Sequence, residues 1–340
     1  MMPAVPPLRL RVPVLLAAAL GVGLVAAGCG GPASGADLPR AAIAPPVTHT
    51  PAGTVVMLPG DPGSLAVDVR DSLVAAGVRD PGGVALISAS TGREEKVIDL
   101  GATPAHLALT RSQQSLLVPL GKAGRVVQLG LPGGQVQWQL HLAGQPDDAV
   151  GASAGTAFVS NGTLSTVSLV QNGTQVADEP APRQPGGVAA TTNGTEVVVL
   201  GTRARRLEVF SYSGRSLGSV SAGVGPTHVV GGAHNLFYVS DTEGNAIDVF
   251  QLGAGPQQVA TVATRPGAPY GLALDQARGL LYVTLTASNE LESFRIKGTT
   301  VVPDRVWPTV RQPDAVAVDS ATGRVFVASR TGGGLELIDP

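Results

Sequence analysis

Six titratable side chains recur at one place in a repeated sequence unit, and together they could carry acid–base chemistry or bind a ligand. Each comes one or two residues after a proline that opens an apolar stretch, as in the PAHLALT segment beginning at Pro104. The six residues are His106, Asp147, Asp148, His228, Tyr270 and Asp314. Imidazole, carboxylate and phenol groups can act as general acids and bases, and imidazole and carboxylate also bind metal ions.

The repeated unit predicts the fold that would bring these residues together. Its seven copies begin at Pro62, Pro104, Pro146, Pro185, Pro226, Pro269 and Pro313. Successive prolines are 39 to 44 residues apart, and most units contain four short apolar strands. Four strands in about 40 residues is the content of one propeller blade. The sequence therefore predicts an all-β fold, a seven-bladed β-propeller of four-stranded blades, over residues 53–340.

The two ends of this region predict how the ring closes. The seventh unit stops at Pro340 after its third strand, while an unassigned apolar segment, GTVVML at 53–58, precedes the first unit. If this N-terminal segment supplies the missing fourth strand of the last blade, no strand edge is left open there.

The motifs of two repeat units indicate which subtype of propeller the sequence resembles. The PYGLALD segment at Pro269 is followed by LYVT at Leu281, and PDAVAVD at Pro313 is followed by VFV at Val325. These blades resemble the YVTN/YncE-like propellers, and the resemblance covers roughly residues 53–340. It implies the architecture and leaves the function open, because such propellers include binding modules and a few enzymes.

The N-terminus indicates export and lipidation. Arg9 and Arg11 precede 17 uncharged residues, and the segment AAG at 26–28 then precedes Cys29, the only cysteine. A basic start, a short apolar run and small residues are typical of a signal peptide. The segment AAGC resembles the lipobox of bacterial lipoproteins. That resemblance implies removal of a signal peptide at 1–28 and acylation of Cys29.

The anchored protein is expected on the outer face of the cell membrane. Two or three acyl chains on Cys29 would hold it firmly on the bilayer. Residues 29–52 comprise the lipidated cysteine and a segment rich in Pro, Gly and Ala, which predicts a flexible tether. We expect a monomer.

Strand alternation predicts which residues face the central channel. In the first strand of each blade a small set, such as Ala66 and Ala273, alternates with a large set, such as Leu65 and Leu272. The small set is expected to face the channel and the large set to pack between blades. On that basis His106 and His228 lie nearly across the ring, with Asp148 beside His106, while Asp147, Tyr270 and Asp314 flank them.

Three interpretations of this cluster stay open. The side chains could solvate a wet channel, they could bind a small ligand, or His106, His228 and Asp148 could hold a metal ion, although the two histidines start from opposite walls. No cofactor is predicted. The sequence lacks HExxH and P-loop motifs. A net charge of −2 gives no general attraction to nucleic acid.

The favoured function is therefore non-enzymatic. We expect a binding or scaffold propeller of the cell envelope, with an envelope protein or a small molecule as its partner. The alternative is a lactonase-like propeller hydrolase, in which the histidines and aspartates at the channel mouth act as general acid and base.

Overall fold

The computed structural model describes residues 1, 3–4, 38–153, 155–192, 194–332 and 334–340. The predicted signal peptide, the lipidation site Cys29 and the start of the predicted tether lie outside these residues. Among the described residues, no helix is long and apolar enough to span a bilayer. Two 3₁₀ turns, Gly121–Ala123 and Ala233–Asn235, are the helical segments there.

The predicted seven-bladed propeller is confirmed. Residues 54–338 form seven four-stranded antiparallel sheets, each running from an inner first strand to an outer fourth strand. In blade 1 the strands are β2 (Pro62–Asp68), β3 (Leu73–Val78), β4 (Gly83–Ser88) and β5 (Glu94–Asp99). In blade 2 they are β6 (Ala108–Leu109), β7 (Ser115–Leu120), β8 (Arg125–Gly130) and β9 (Gln135–His141). In blade 3 they are β10 (Pro146–Ser153), β11 (Thr156–Asn161), β12 (Thr166–Gln171) and β13 (Thr174–Pro180).

Blades 4 to 6 repeat the same order. In blade 4 the strands are β14 (Pro185–Ala190), β15 (Glu196–Gly201), β16 (Arg206–Ser211) and β17 (Ser216–Ser221). In blade 5 they are β18 (Pro226–Gly231), β19 (Leu236–Asp241), β20 (Ala246–Leu252) and β21 (Pro256–Ala263). In blade 6 they are β22 (Pro269–Asp275), β23 (Leu280–Leu285), β24 (Glu290–Lys297) and β25 (Thr300–Pro308).

The N-terminal strand closes the ring, as the sequence predicts. Blade 7 consists of β26 (Pro313–Val318), β27 (Val325–Ser329), β28 (Leu335–Ile338) and β1 (Thr54–Val56). Strand β1 pairs antiparallel with β28, with Val55 opposite Glu336. The buried Glu336 carboxylate accepts the backbone N–H groups of Gly53 and Val310. This side chain therefore joins the N-terminal strand to the connection that enters blade 7.

The core lies between neighbouring blades. This contradicts the prediction of which first-strand side chains face the channel. The large residue Leu272 packs with Val283 against blade 5, whereas the small residue Ala273 packs with Tyr282 against blade 7. Each blade buries both faces of its sheet, so small and large residues alike pack between blades. The channel is bordered by the edges of the first strands. The prediction that only the small set faces the channel was therefore wrong.

Candidate functional site

Except for His106, the candidate residues lie at irregularities at the starts of the first strands. Six of the seven first strands shift register two or three residues after their proline. Such a bulge frees a backbone N–H from the ladder and re-aims the side chain. Hydroxyl groups of the second strands accept these N–H groups: Ser160 accepts from Asp148, and Ser240 accepts from His228. These hydrogen bonds hold the backbone of Asp148 and His228 in place and thereby orient their side chains.

The two histidines meet at the channel axis. Nε2 of His106 lies 3.2 Å from Nε2 of His228, and the ring planes stand at 84°. Nδ1 of His106 lies 3.1 Å from the carbonyl oxygen of Asp147, which fixes a proton on that nitrogen when the ring is neutral. Within the described part of the chain, Nδ1 of His228 has no hydrogen-bond partner of normal geometry.

The surroundings shift the pKa values of the two rings in opposite directions. Removal from water and, to a smaller extent, the neighbouring His106 lower the pKa of His228 to about 3. Burial also opposes protonation of His106, but the negative charges of Asp148 and Asp147 outweigh it and raise its pKa. Near neutral pH, His228 is therefore uncharged, and the neighbouring carboxylates favour positive charge at His106.

The remaining predicted residues surround this pair. The Tyr270 ring stacks edge-on against His228, with ring centres 4.4 Å apart. Burial, with help from Asp314, raises the pKa of Tyr270 to about 12, so the phenol keeps its proton. Asp314 is almost fully buried and accepts hydrogen bonds from Gln312 and Arg330. Burial raises the pKa of Asp147, Asp148 and Asp314.

A cavity of about 410 Å³ runs along the axis from the histidine pair to the opposite face of the ring. His106, His228 and Asp314 lie at its inner end, and Thr110, Arg111 and Thr191 border it at the turns between first and second strands. Its walls are mostly apolar and include Leu107, Ala108, Val188, Ala189, Ala190 and Leu272. An apolar pocket with a few converging polar groups is the usual form of a small-molecule site.

On the other side of the histidine pair, the channel is covered by the chain's own N-terminal segment. We call residues 38–45 the strap. Leu38, Pro39 and Arg40 enclose, with both histidines, a second cavity of about 150 Å³. The pair therefore separates the axial cavity from this smaller one. The described part of the predicted tether, from residue 38 onwards, thus includes a segment with defined contacts.

The strap is held by hydrogen bonds from side chains of blades 6 and 7 to its main chain. Nε2 of Gln312 donates to the carbonyl of Ala42 (2.7 Å), and Oε1 of the same side chain accepts the N–H of Ala44 (2.8 Å). Thr286 accepts the N–H of Ala42, and Asn289 donates to the carbonyl of Pro45.

Beside the strap, on the same face, lies a basic cavity that sequence reasoning missed. It measures about 490 Å³, and Arg79, Lys122 and Arg330 border it together with Asp147. Each cation comes from a different blade, at the turn between second and third strands. The shared position of these three cations in the repeat could have indicated this cavity from the sequence. By contrast Arg205, in the arginine-rich turn of blade 4, pairs with Glu243 at 3.2 Å.

The predicted trio His106, His228 and Asp148 is only partly assembled. The Asp148 carboxylate accepts the N–H groups of Ala149 and Val188. In the described ranges, no three His, Cys, Asp or Glu side chains are placed to hold a metal ion together. The arrangement can bind a polar group at the channel axis, and the neutral His228 ring can take part in a hydrogen bond there.

Comparison with known proteins identifies the fold alone. No protein-family model and no curated protein matches the sequence. Among solved structures, the chain is similar to Kuenenia stuttgartiensis hydrazine synthase (TM-score 0.72, 14% identity), covering 84% of this chain and 97% of that one. It is also similar to the β-propeller domain of Myceliophteria thermophila Cps50 (Swd1) (TM-score 0.73, 11% identity), covering 86% and 100%. At these identities the likeness shows a β-propeller and says nothing further of activity.

Proposed function

We propose that this protein is a lipid-anchored binding propeller of the bacterial cell envelope, related to the YncE-like group, and that it takes a small ligand into its axial channel. The observation that carries the binding role is the 410 Å³ channel with the His106–His228 pair at its inner end. The strap covers the far side of this pair, so the ligand enters from the face that carries Thr110, Arg111 and Thr191. The lipobox resemblance at Cys29 supports the anchor.

Ligand binding is tested by filling the channel. The full-length chain is screened by thermal shift against lactones, sugars and envelope fragments, and each compound that raises the Tm is titrated against Ala190→Phe. Ala190 borders the channel near the entrance face, so a phenyl ring there should abolish binding of a channel ligand. Gln276→Phe, at an exposed turn of blade 6, is the matched control. Binding that survives Ala190→Phe would place the ligand outside the channel.

The anchor is tested by fractionation. Cys29→Ala should move the protein from the membrane fraction to the soluble fraction, because the acyl chains are its proposed attachment. Cys29→Ser is a second variant that likewise cannot form the thioether. Retention of both variants on membranes washed with high salt would contradict the lipoprotein assignment.

One observation favours a second candidate, lactone hydrolysis. His106 borders the ligand cavity, and the charges of Asp148 and Asp147 raise its pKa against the effect of burial, so its ring can exchange a proton with a bound water as a general base or acid does. Release of acid from lactones in the screen, lost in His106→Ala and His228→Ala, would support this activity. Turnover unaffected by either substitution would exclude the pair as its catalytic groups.

A further inference from the structure

Three glutamines occupy one position of the repeat on the face of the ring that the strap covers, which we call the strap face. Gln145, Gln184 and Gln312 each stand directly before the proline that opens a first strand. Their φ angles are 58°, 54° and 55°. A residue other than glycine holds this left-handed backbone where the surrounding structure imposes it. Because the backbone is the same at all three positions, the carboxamides start from equivalent points of blades 3, 4 and 7.

In blade 7 the glutamine at this position binds main chain. Gln312 donates to the carbonyl of Ala42 and accepts the N–H of Ala44 in the strap. Thr286, the residue directly after the second strand of blade 6, accepts the N–H of Ala42. The strap is thus bound by side chains from two positions of the repeat, one before the proline and one after the second strand. Both contact peptide groups and make no demand on the side chains of the strap.

The two equivalent glutamines border the basic cavity. Gln145 and Gln184 both line this cavity of about 490 Å³. Gln145 is exposed and Gln184 is half-buried, and among the described residues neither carboxamide has a hydrogen-bond partner. A carboxamide has two donor hydrogens and an acceptor oxygen. Each of these side chains can therefore bind peptide groups in the way that the strap is bound.

At the second position, the residues around the basic cavity are charged. The place that Thr286 holds in blade 6 is held by Arg79 in blade 1 and by Arg330 in blade 7. Lys122 stands one residue further along in blade 2. Arg330 has a carboxylate partner at 3.4 Å, whereas the other two cations have no ion pair within the described part of the chain. Among the described residues that line the cavity, Asp147 is the one carboxylate, so cations outnumber anions there.

We propose that the basic cavity binds an extended acidic segment of a partner protein. Gln145 and Gln184 bind its main chain, and Arg79, Lys122 and Arg330 pair with its Asp or Glu carboxylates. Clusters of arginine commonly recognise acidic motifs in this way, and complementary charge selects the partner. The site lies beyond the proposed channel function and does not depend on it, because the channel opens on the opposite face.

The test measures fluorescence anisotropy of a labelled, end-blocked hexapeptide of alternating Ala and Glu, titrated with the full-length chain. We expect saturable binding that weakens with added salt, and no binding of the counterpart with Gln in place of Glu. Arg79→Glu and Lys122→Glu should each weaken binding at least about tenfold, because they place like charges against the peptide. Arg215→Glu, in the exposed turn between the third and fourth strands of blade 4, is the matched control. Ala190→Phe, which fills the channel, should also bind as wild type does.

Main-chain recognition has its own readout. N-methylation of the peptide backbone removes N–H donors, so it should weaken binding to the wild-type chain. The double variant Gln145→Ala, Gln184→Ala should bind the unmethylated peptide at least about fivefold more weakly. It should also lose its sensitivity to methylation, because the interacting partners have been removed. Gln276→Ala, at an exposed turn of blade 6, should behave as wild type, and all variants should keep the wild-type Tm.

Three results would overturn the proposal. The first is a failure of the acidic peptide to bind, or equal binding of the acidic and neutral peptides. The second is unchanged affinity in both Arg79→Glu and Lys122→Glu. The third is competition by glutarate or dihexanoyl-phosphatidylglycerol at the affinity of the peptide, because that would show a site for small anions or lipid headgroups without recognition of main chain.

Discussion

Gln312 makes the two shortest of the strap's hydrogen bonds, and Gln312→Ala should loosen its attachment. The Gln312 carboxamide donates to the Ala42 carbonyl and accepts the Ala44 N–H, so it binds two consecutive peptide groups of the strap. It also donates to Asp314 at 2.9 Å. Alanine removes all three bonds, while the contacts from Thr286, Asn289 and Arg311 remain.

The size of the effect follows from the two bonds to the strap. Each intramolecular hydrogen bond contributes about 0.5–1.5 kcal/mol net, so the strap loses about 1–3 kcal/mol of attachment free energy. At about 1.4 kcal/mol per factor of ten, its opening equilibrium should rise roughly 5- to 150-fold. Local opening of this kind governs amide exchange. The Ala42 and Ala44 amides should therefore exchange faster by the same factor.

Hydrogen exchange of the peptide covering residues 38–48 measures this directly, and trypsin cleavage after the exposed Arg40 provides a second readout. Gln276→Ala, at an exposed turn of blade 6, is the control and should match wild type. Unchanged exchange in Gln312→Ala would refute the assignment of Gln312 as the main attachment. If amide exchange accelerated equally throughout the blades, the substitution would have destabilised the whole propeller and not released the strap alone.

Three further outcomes are expected. Deleting residues 53–58 removes β1 and exposes the edge of β28, so the Tm should fall sharply or the protein should aggregate. Burial raises the pKa of Glu336 above 4.5. The stability that this shift contributes is present below pH 4.5 and is lost as pH rises through the folded-state pKa. In urea denaturation, the free energy of unfolding should therefore fall more steeply with rising pH for wild type than for Glu336→Gln. Ser240→Ala removes the acceptor for the His228 N–H and a donor to the Tyr270 carbonyl, and denaturation should show a loss of about 1–3 kcal/mol, with Ser213→Ala, at an exposed turn, as its control.

The ring and its closure could be predicted because their signals are local and repeated. A proline followed by alternating apolar residues, recurring seven times, identifies blades whatever their contacts. The segment 53–58 could be assigned by counting strands, since one blade lacked a fourth. The facing of the first strands could not be predicted from alternation, because Leu272 and Ala273 pack against different neighbouring blades and neither side is a free surface.

The candidate site was predictable in membership but not in geometry. Equivalent repeat positions placed His106 and His228 at one end of the channel. Their 3.2 Å approach depends on the channel width and, for His228, on the bulge at the start of β18. The sequence placed the two histidines on opposite walls of the channel. A repeat period gives equivalent positions in the blades, but it does not give the distance between two side chains. Arg330 joins the site only because the turn after β27 folds back over Asp314.

By itself, the sequence determined the strand periodicity, the number of blades and the residues at the inner strand starts, because these follow from side-chain pattern along the chain. The tertiary structure alone decided that the histidine rings meet and that residues 38–45 cover them. The strap makes its bonds largely through main-chain groups, which every residue carries, to side chains more than 240 positions away. A contact of that kind leaves no periodic mark on the sequence, because its specificity resides in the three-dimensional placement of Thr286, Asn289 and Gln312.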